Sequence, residues 1–195
     1  MSQERNDPGA STTRHPGTLV LMSATTAGVR LAPLNATHWD QVHAIYAAGI
    51  ATGHATFSDT PPTWQKFDTD KLPLLRTVAL DDAERVIGWL ACTPHSRRLV
   101  FVGVLEVSVY VHPDHRRQGV GRALLQNLVV ESEQAGFWTL QSSVFPENTA
   151  SIRLHEEAGF RTVGVRERVG KMTHGPMAGV WRDLVLLERR SDVVD

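Results

Sequence analysis

The run Arg116-Arg-Gln-Gly-Val-Gly121 sits between a valine-rich apolar stretch and an amphipathic one, where a chain can present several free backbone N–H groups to one anion. The first turn of a helix leaves four such donors unpaired, and the helix dipole adds about half a positive charge there. Without a Cβ at Gly119 and Gly121 a pyrophosphate can touch the backbone, with Arg117 and Arg122 supplying charge at the rim. The run is not a P-loop, because no Gly-Lys-Ser/Thr closes it, and it lacks the third glycine of the dinucleotide fingerprint. Taken alone it reads equally well as an ordinary glycine turn. A second candidate is Glu106 within Val104-Leu-Glu-Val-Ser-Val109. Burial there would raise the carboxyl pKa toward the range of a working base. An outward-facing Glu on a strand with one wet face is the simpler alternative. Nine histidines raise the question of metal, but His112 and His115 flank Pro113 on a turn with no second ligand pair at a zinc-like spacing, so no metal site is expected. Cys92, the single cysteine, excludes an internal disulfide and reads as a small core residue compatible with a reducing cytosol. No Gly-x-Ser-x-Gly elbow is present.

The elements that must position these residues follow from periodicity. Val29–Pro33 reads as a strand, and Thr37 with Asp40 resembles a cap for a helix carrying Trp39, Val42, Ile45 and Tyr46. Thr63–Leu75 reads as a weaker helix after Pro61-Pro62, and Thr77–Leu80 and Arg85–Thr93 as a hairpin. Leu99–His112 is the strongest strand, rich in Val and aromatics. A helix then runs to Gly136, followed by a strand Thr139–Val144 and a helix from Asn148 or Thr149 to Ala158, stopped by Gly159. Strands Arg161–Val169 and Val180–Leu187 flank a loop at Thr173–Gly179. This order argues for a mixed α/β domain around one sheet.

The bounds agree. A length of 195 residues fits one domain, and 42% apolar with 21% charged residues excludes disorder of the whole chain. The formal net charge of −1 gives no reason to expect nucleic acid or anionic lipid as partner. No apolar run approaches the roughly 20 residues of a membrane helix. Residues 1–28 read as a flexible leader without the apolar stretch of a secretory signal, and 29–190 as the domain, expected to be cytoplasmic.

Arg116-x-x-Gly119-x-Gly121 also matches the Arg/Gln-x-x-Gly-x-Gly/Ala acetyl-coenzyme A signature, so the region resembles the GCN5-related N-acetyltransferase (GNAT) superfamily. Leu105-Glu-Val-Ser-Val-Tyr-Val-His-Pro113, Glu147-Asn-Thr-Ala-Ser-Ile-Arg-Leu-His-Glu156, Gly159-Phe160 and Val169-Gly-Lys171 are similar to its phosphinothricin and methionine-sulfoximine acetyltransferase branch. The likeness runs from about Val29 to Leu187. It implies a mixed, mostly antiparallel central sheet with splayed central strands flanked by helices, acetyl-coenzyme A as co-substrate and no metal. It also implies a homodimer acting on the primary amine of a small amino-acid-like acceptor by direct attack in a ternary complex. By the resemblance, Val109, Tyr110 and Val111 would lie along the pantetheine arm and Arg117, Gln118, Gly119, Val120, Gly121 and Arg122 around the pyrophosphate. Asn148 and Ser151 would lie near the thioester end. Glu106 would be the base, acting through a water, and His155, where many relatives have tyrosine, a candidate acid; the alternative for His155 is packing. Thr56, Phe57 and Trp64 would line the acceptor pocket; apart from the resemblance, Arg97 and Arg98 offer charge for an acceptor carboxylate, the alternative being a solvated surface pair. Three departures fall around the acceptor: Val107 where relatives carry His, Pro94-His-Ser-Arg-Arg98 in place of an Arg-Pro-Phe-like segment, and the insertion 173–179. The alternatives are a protein N-terminal or polyamine acetyltransferase, and a non-catalytic acyl-coenzyme A-binding module.

Overall fold

The computed structural model describes residues 25–26 and 28–195. The leader expected at 1–28 lies outside the described residues except for Gly28 and the two-residue strand β1 (Thr25–Thr26), which pairs with Val29 and Arg30. The chain then gives β2 (Val29–Pro33), α1 (Trp39–Ala51), α2 (Trp64–Asp70), β3 (Arg76–Leu80), β4 (Val86–Pro94) and β5 (Val104–Val111). After the glycine-rich turn come α3 (Val120–Gln134), β6 (Thr139–Val144), α4 (Thr149–Glu157), β7 (Arg161–Lys171) and β8 (Trp181–Arg190). All strands join one sheet of order β1-β2-β3-β4-β5-β6-β8-β7. Every pairing is antiparallel except β5 with β6, which are parallel and therefore need the crossover that α3 supplies.

Strand side chains alternate between faces, and β4 shows what each face meets. Trp89 and Ala91 pack with Val42 and Ile45 of α1 and Phe67 of α2. Leu90 and Cys92 pack on the other side with Leu124, Leu125 and Leu128 of α3. A sheet covered on both sides fixes its register, because a slip of one residue would turn each apolar set to the wrong layer.

The site depends on how β5 and β6 part. Their pairing covers only Val104↔Thr139, Leu105↔Leu140 and Glu106↔Gln141. Beyond it β5 stays with β4 as far as Val111, while β6 stays with β8 as far as Val144. His112 N–H donates to Ile87 O at 2.9 Å, so in the antiparallel ladder the even residues of β5 spend their main-chain groups on β4. Val109 and Val111 therefore point theirs into the gap left by β6.

Four expectations need correction. The helix expected over Thr63–Leu75 stops at Asp70, because Pro73 pushes Leu72 out of the helical region (ψ 124°), and Pro73–Leu75 forms a 3₁₀ turn. The strand expected from Leu99 begins at Val104, and Leu99–Phe101 form a 3₁₀ turn with Leu99 85% exposed. The cap before α1 is Asn35, whose side chain accepts from Thr37 N–H, not Thr37 itself. The last two strands run further than expected, to Lys171 and Arg190.

Candidate active site

The parted strands open a cleft of about 1190 Å³, bounded by β5, β6, the start of α3, α4 and the loop after α1. At one end is the glycine-rich turn. Arg117 (φ 59°) and Gly119 (φ 81°) take left-handed conformations, a kind of turn that gathers successive N–H groups into an anion-binding concavity. Gly119 caps α3 without a side-chain hydrogen bond, leaving the first-turn N–H groups uncapped. A Cβ on Gly119 would meet nothing within 4 Å, and Gly119 lines the cleft. Gly121 lines the cleft as well, and a Cβ there would come within 2.8 Å of Leu154 Cδ2, so the bare backbone also lets α4 lie close to α3. Arg116, Arg117 and Arg122 line the same end. Gln118 does not line the cleft; its amide donates to Asp114 O at 3.0 Å and braces the turn.

At the other end Glu106, Ser108 and Tyr110 project from one face of β5 toward the loop after α1, of which His54, Thr56 and Phe57 also line the cleft. Glu106 is exposed, which corrects the expectation of a buried carboxylate. Tyr110 stacks on Trp89 with ring centroids 4.6 Å apart. Its main chain is spent on β4, so only its side chain reaches the cleft, unlike Val109 and Val111 with their free main-chain edge. Burial first, then the neighbouring Tyr46, pushes the Tyr110 phenol well above its ordinary pKa and keeps it protonated. Lys71, just past α2, donates from Nζ to Thr93 Oγ1 (2.9 Å) and to Ser108 Oγ (3.0 Å). Burial holds its ammonium below the usual lysine pKa, against the opposing fields of Cys92 and Glu106.

The loop after α1 is tied to the segment before α4 by Arg182, which sequence patterns did not single out, and by Asn148. Arg182 of β8 is only 2% exposed. It donates to Gly53 O (2.7 Å), to His54 Nδ1 (3.1 Å) and to Glu147 (3.0 Å), and lies 4.0 Å over the Phe145 ring. Arginine has no acceptor, so His54 Nδ1 accepts and its ring proton sits on Nε2. Asn148 Oδ1 caps α4 by accepting from Ser151 N–H, as the cap reading expected, and its Nδ2 donates to His54 O at 3.3 Å. We predict that Arg182→Met costs about 2 kcal/mol of stability in urea unfolding, since charge-assisted bonds contribute more than neutral ones. Its acceptor KM is expected to rise, because the loop at 53–57 loses its anchor.

His155 is 1% exposed and lies edge-on to Phe160. A carbonyl only accepts, so Nδ1–H donates to Ser151 O at 2.8 Å, and Nε2 is a bare, buried lone pair without a partner. The neutral ring has no free proton to give, which agrees with the packing alternative for His155. Burial depresses its pKa below the unfolded 6.5. The unfolded chain then takes up a proton that the folded one refuses, so stability is intact above pH 6.5 and falls as the pH drops toward the folded pKa. Urea unfolding at stepped pH checks this; His155→Leu is expected to flatten that part of the profile.

Two expected acceptor residues lie elsewhere. Trp64 packs on Trp39 and Phe67 and carries the Arg76 guanidinium 5.3 Å from its ring centroid. Arg97 is exposed on the loop after β4, outside the cleft. Among the described residues no group of three or more His, Cys, Asp or Glu is arranged to hold a metal ion, and no helix is long and apolar enough to cross a membrane.

A free strand edge leading from a basic, glycine-lined helix start to a carboxylate is the architecture of an acyltransferase that takes its acyl group from a phosphate-bearing coenzyme. The profile of the Acetyltransferase (GNAT) family matches residues 39–160, and the chain belongs to that family. A phosphinothricin N-acetyltransferase of Alcaligenes faecalis is 36% identical over 160 residues, spanning 76% of this chain and 75% of its own. An L-methionine sulfoximine/L-methionine sulfone acetyltransferase of Pseudomonas aeruginosa is 32% identical over 158 residues, spanning 76% and 87%. The crystal structure of a GNAT superfamily phosphinothricin acetyltransferase from Sinorhizobium meliloti, in complex with acetyl-coenzyme A, superposes with TM-score 0.73 at 27% identity, over 84% of this chain and 88% of that one. The chain is thus an acetyl-coenzyme A-dependent acyltransferase.

Proposed function

We propose that the protein transfers acetyl from acetyl-coenzyme A to the primary amine of a small amino-acid-like acceptor, of the phosphinothricin or methionine sulfoximine type, within a ternary complex. The single observation that carries this is the continuous cleft joining the Gly119 turn to Glu106. The coenzyme supplies an activated acetyl thioester. The N–H groups at the start of α3, with Arg117 and Arg122, hold its diphosphate, and the free edges of Val109 and Val111 hold the pantetheine amides. This fits the open space above Gly119 and the main-chain groups that β6 leaves unpaired.

An amine at neutral pH is mostly protonated and cannot attack. Glu106, exposed to the cleft, removes that proton through a water, and the walls formed by Thr56 and Phe57 hold the neutral amine in place. Val163, Val165 and Val169 on the edge strand β7 and Trp181 on β8 are exposed. Together they give a homodimer an apolar surface to cover.

The test is an amine panel followed by release of coenzyme A thiol. Methionine sulfoximine and phosphinothricin are expected to turn over, and spermidine and an N-terminal alanine peptide are not. Turnover of only the latter pair would reverse the reading. Tight coenzyme binding with no turnover of any amine would point to a binding module.

A further inference from the structure

An amino-acid-like acceptor brings a carboxylate within two bonds of the amine that Glu106 must deprotonate, and two negative groups so close repel unless a cation stands by. The expected cation, Arg97, lies outside the cleft, and Arg182 is spent on Glu147, Gly53 and His54. Lys71 remains. Its Nζ lies 3.0 Å from Ser108 Oγ, and Ser108 lines the cleft two residues from Glu106, on the same strand face. The second contact, to Thr93 Oγ1 at 2.9 Å, fixes the ammonium beside the residue paired with Glu106 across the ladder. An ammonium only donates, so Ser108 Oγ accepts from Lys71 and its own O–H is left to donate.

We propose that Ser108 binds the carboxylate of the acceptor and that Lys71 is the positioning residue that fixes its hydroxyl as a donor and supplies the balancing charge. The pair would select acceptors with an anionic group next to the amine. This rests on the amino-acid reading of the substrate given above.

The experiment compares kcat and KM for L-methionine sulfoximine and for its α-carboxamide, which keeps the size and loses the charge. Wild type is expected to favour the acid by at least about tenfold in kcat/KM, the scale of one charge-assisted bond. Ser108→Ala and Lys71→Met are each expected to bring that ratio toward one by raising KM for the acid alone. Ser108→Thr, which keeps the hydroxyl, is expected to preserve it. Unaltered acetyl-coenzyme A affinity and melting temperature certify the fold, and Ser108→Ala carries the test if Lys71→Met does not fold. Equal losses on both substrates, a ratio near one in a wild type that uses both, or a ratio that the variants leave unchanged overturns the proposal and leaves the substrate reading standing. A wild type that acetylates neither compound but acetylates other amines overturns the substrate reading, and this proposal with it.

Discussion

Glu106→Gln is expected to lower kcat by about 10²–10⁴-fold, the range that positioned proton transfer contributes. Glutamine keeps the size of Glu106 and loses its charge and its capacity to accept a proton. Because Glu106 is exposed, the fold is expected to melt within a degree of wild type and the coenzyme to bind with unchanged affinity. Steady-state kinetics over a pH series decides it, and a kcat within threefold of wild type would remove Glu106 from the mechanism.

The second large effect is on coenzyme affinity. Gly119→Val puts a β-branched side chain at φ 81° and fills the open space that the phosphate is expected to enter. Losing two charge-assisted bonds at about 1.5 kcal/mol each corresponds to a Kd for acetyl-coenzyme A weakened about 100-fold. The left-handed strain adds about 1–2 kcal/mol of instability that has nothing to do with binding. Gly136→Val separates the two, since Gly136 at the far end of α3 has φ 82° and the same open surroundings but lies outside the cleft. Both variants are expected to melt lower, and only Gly119→Val to lose the coenzyme in a titration.

The sequence made the scaffold legible where local physics decides it. The 3.6-residue apolar spacing of Ala123, Leu124 and Leu128 gave α3, and Gly136 ended it where expected. The alternation around Trp89 and Leu90 marked β4 as a strand with both faces covered. The glycine turn and Glu106 were also readable, because a helix start after a strand and a lone carboxylate among valines are local patterns. The exposure of Glu106 was not, since whether a strand face is wet depends on what packs over it, which the strand's own residues do not state. Leu99–Phe101 misled because an apolar run fits an exposed turn as well as a strand. Trp64 and Arg97 misled because sequence nearness to the cleft does not give direction: one faces the Trp39 and Phe67 cluster and the other faces solvent. Arg182 was invisible for another reason. Its bond to Gly53 spans 129 residues, and only the sheet order that places β8 beside β6 creates it.

A crystal of the protein soaked with acetyl-coenzyme A measures the central claim in one experiment. The expected density runs along the open edge of Val109 and Val111, with the diphosphate on the N–H groups of Gly119 to Arg122 and the thioester facing Glu106. Density with the phosphates bound away from that turn, or a thioester on the far side of β5 from Glu106, contradicts it.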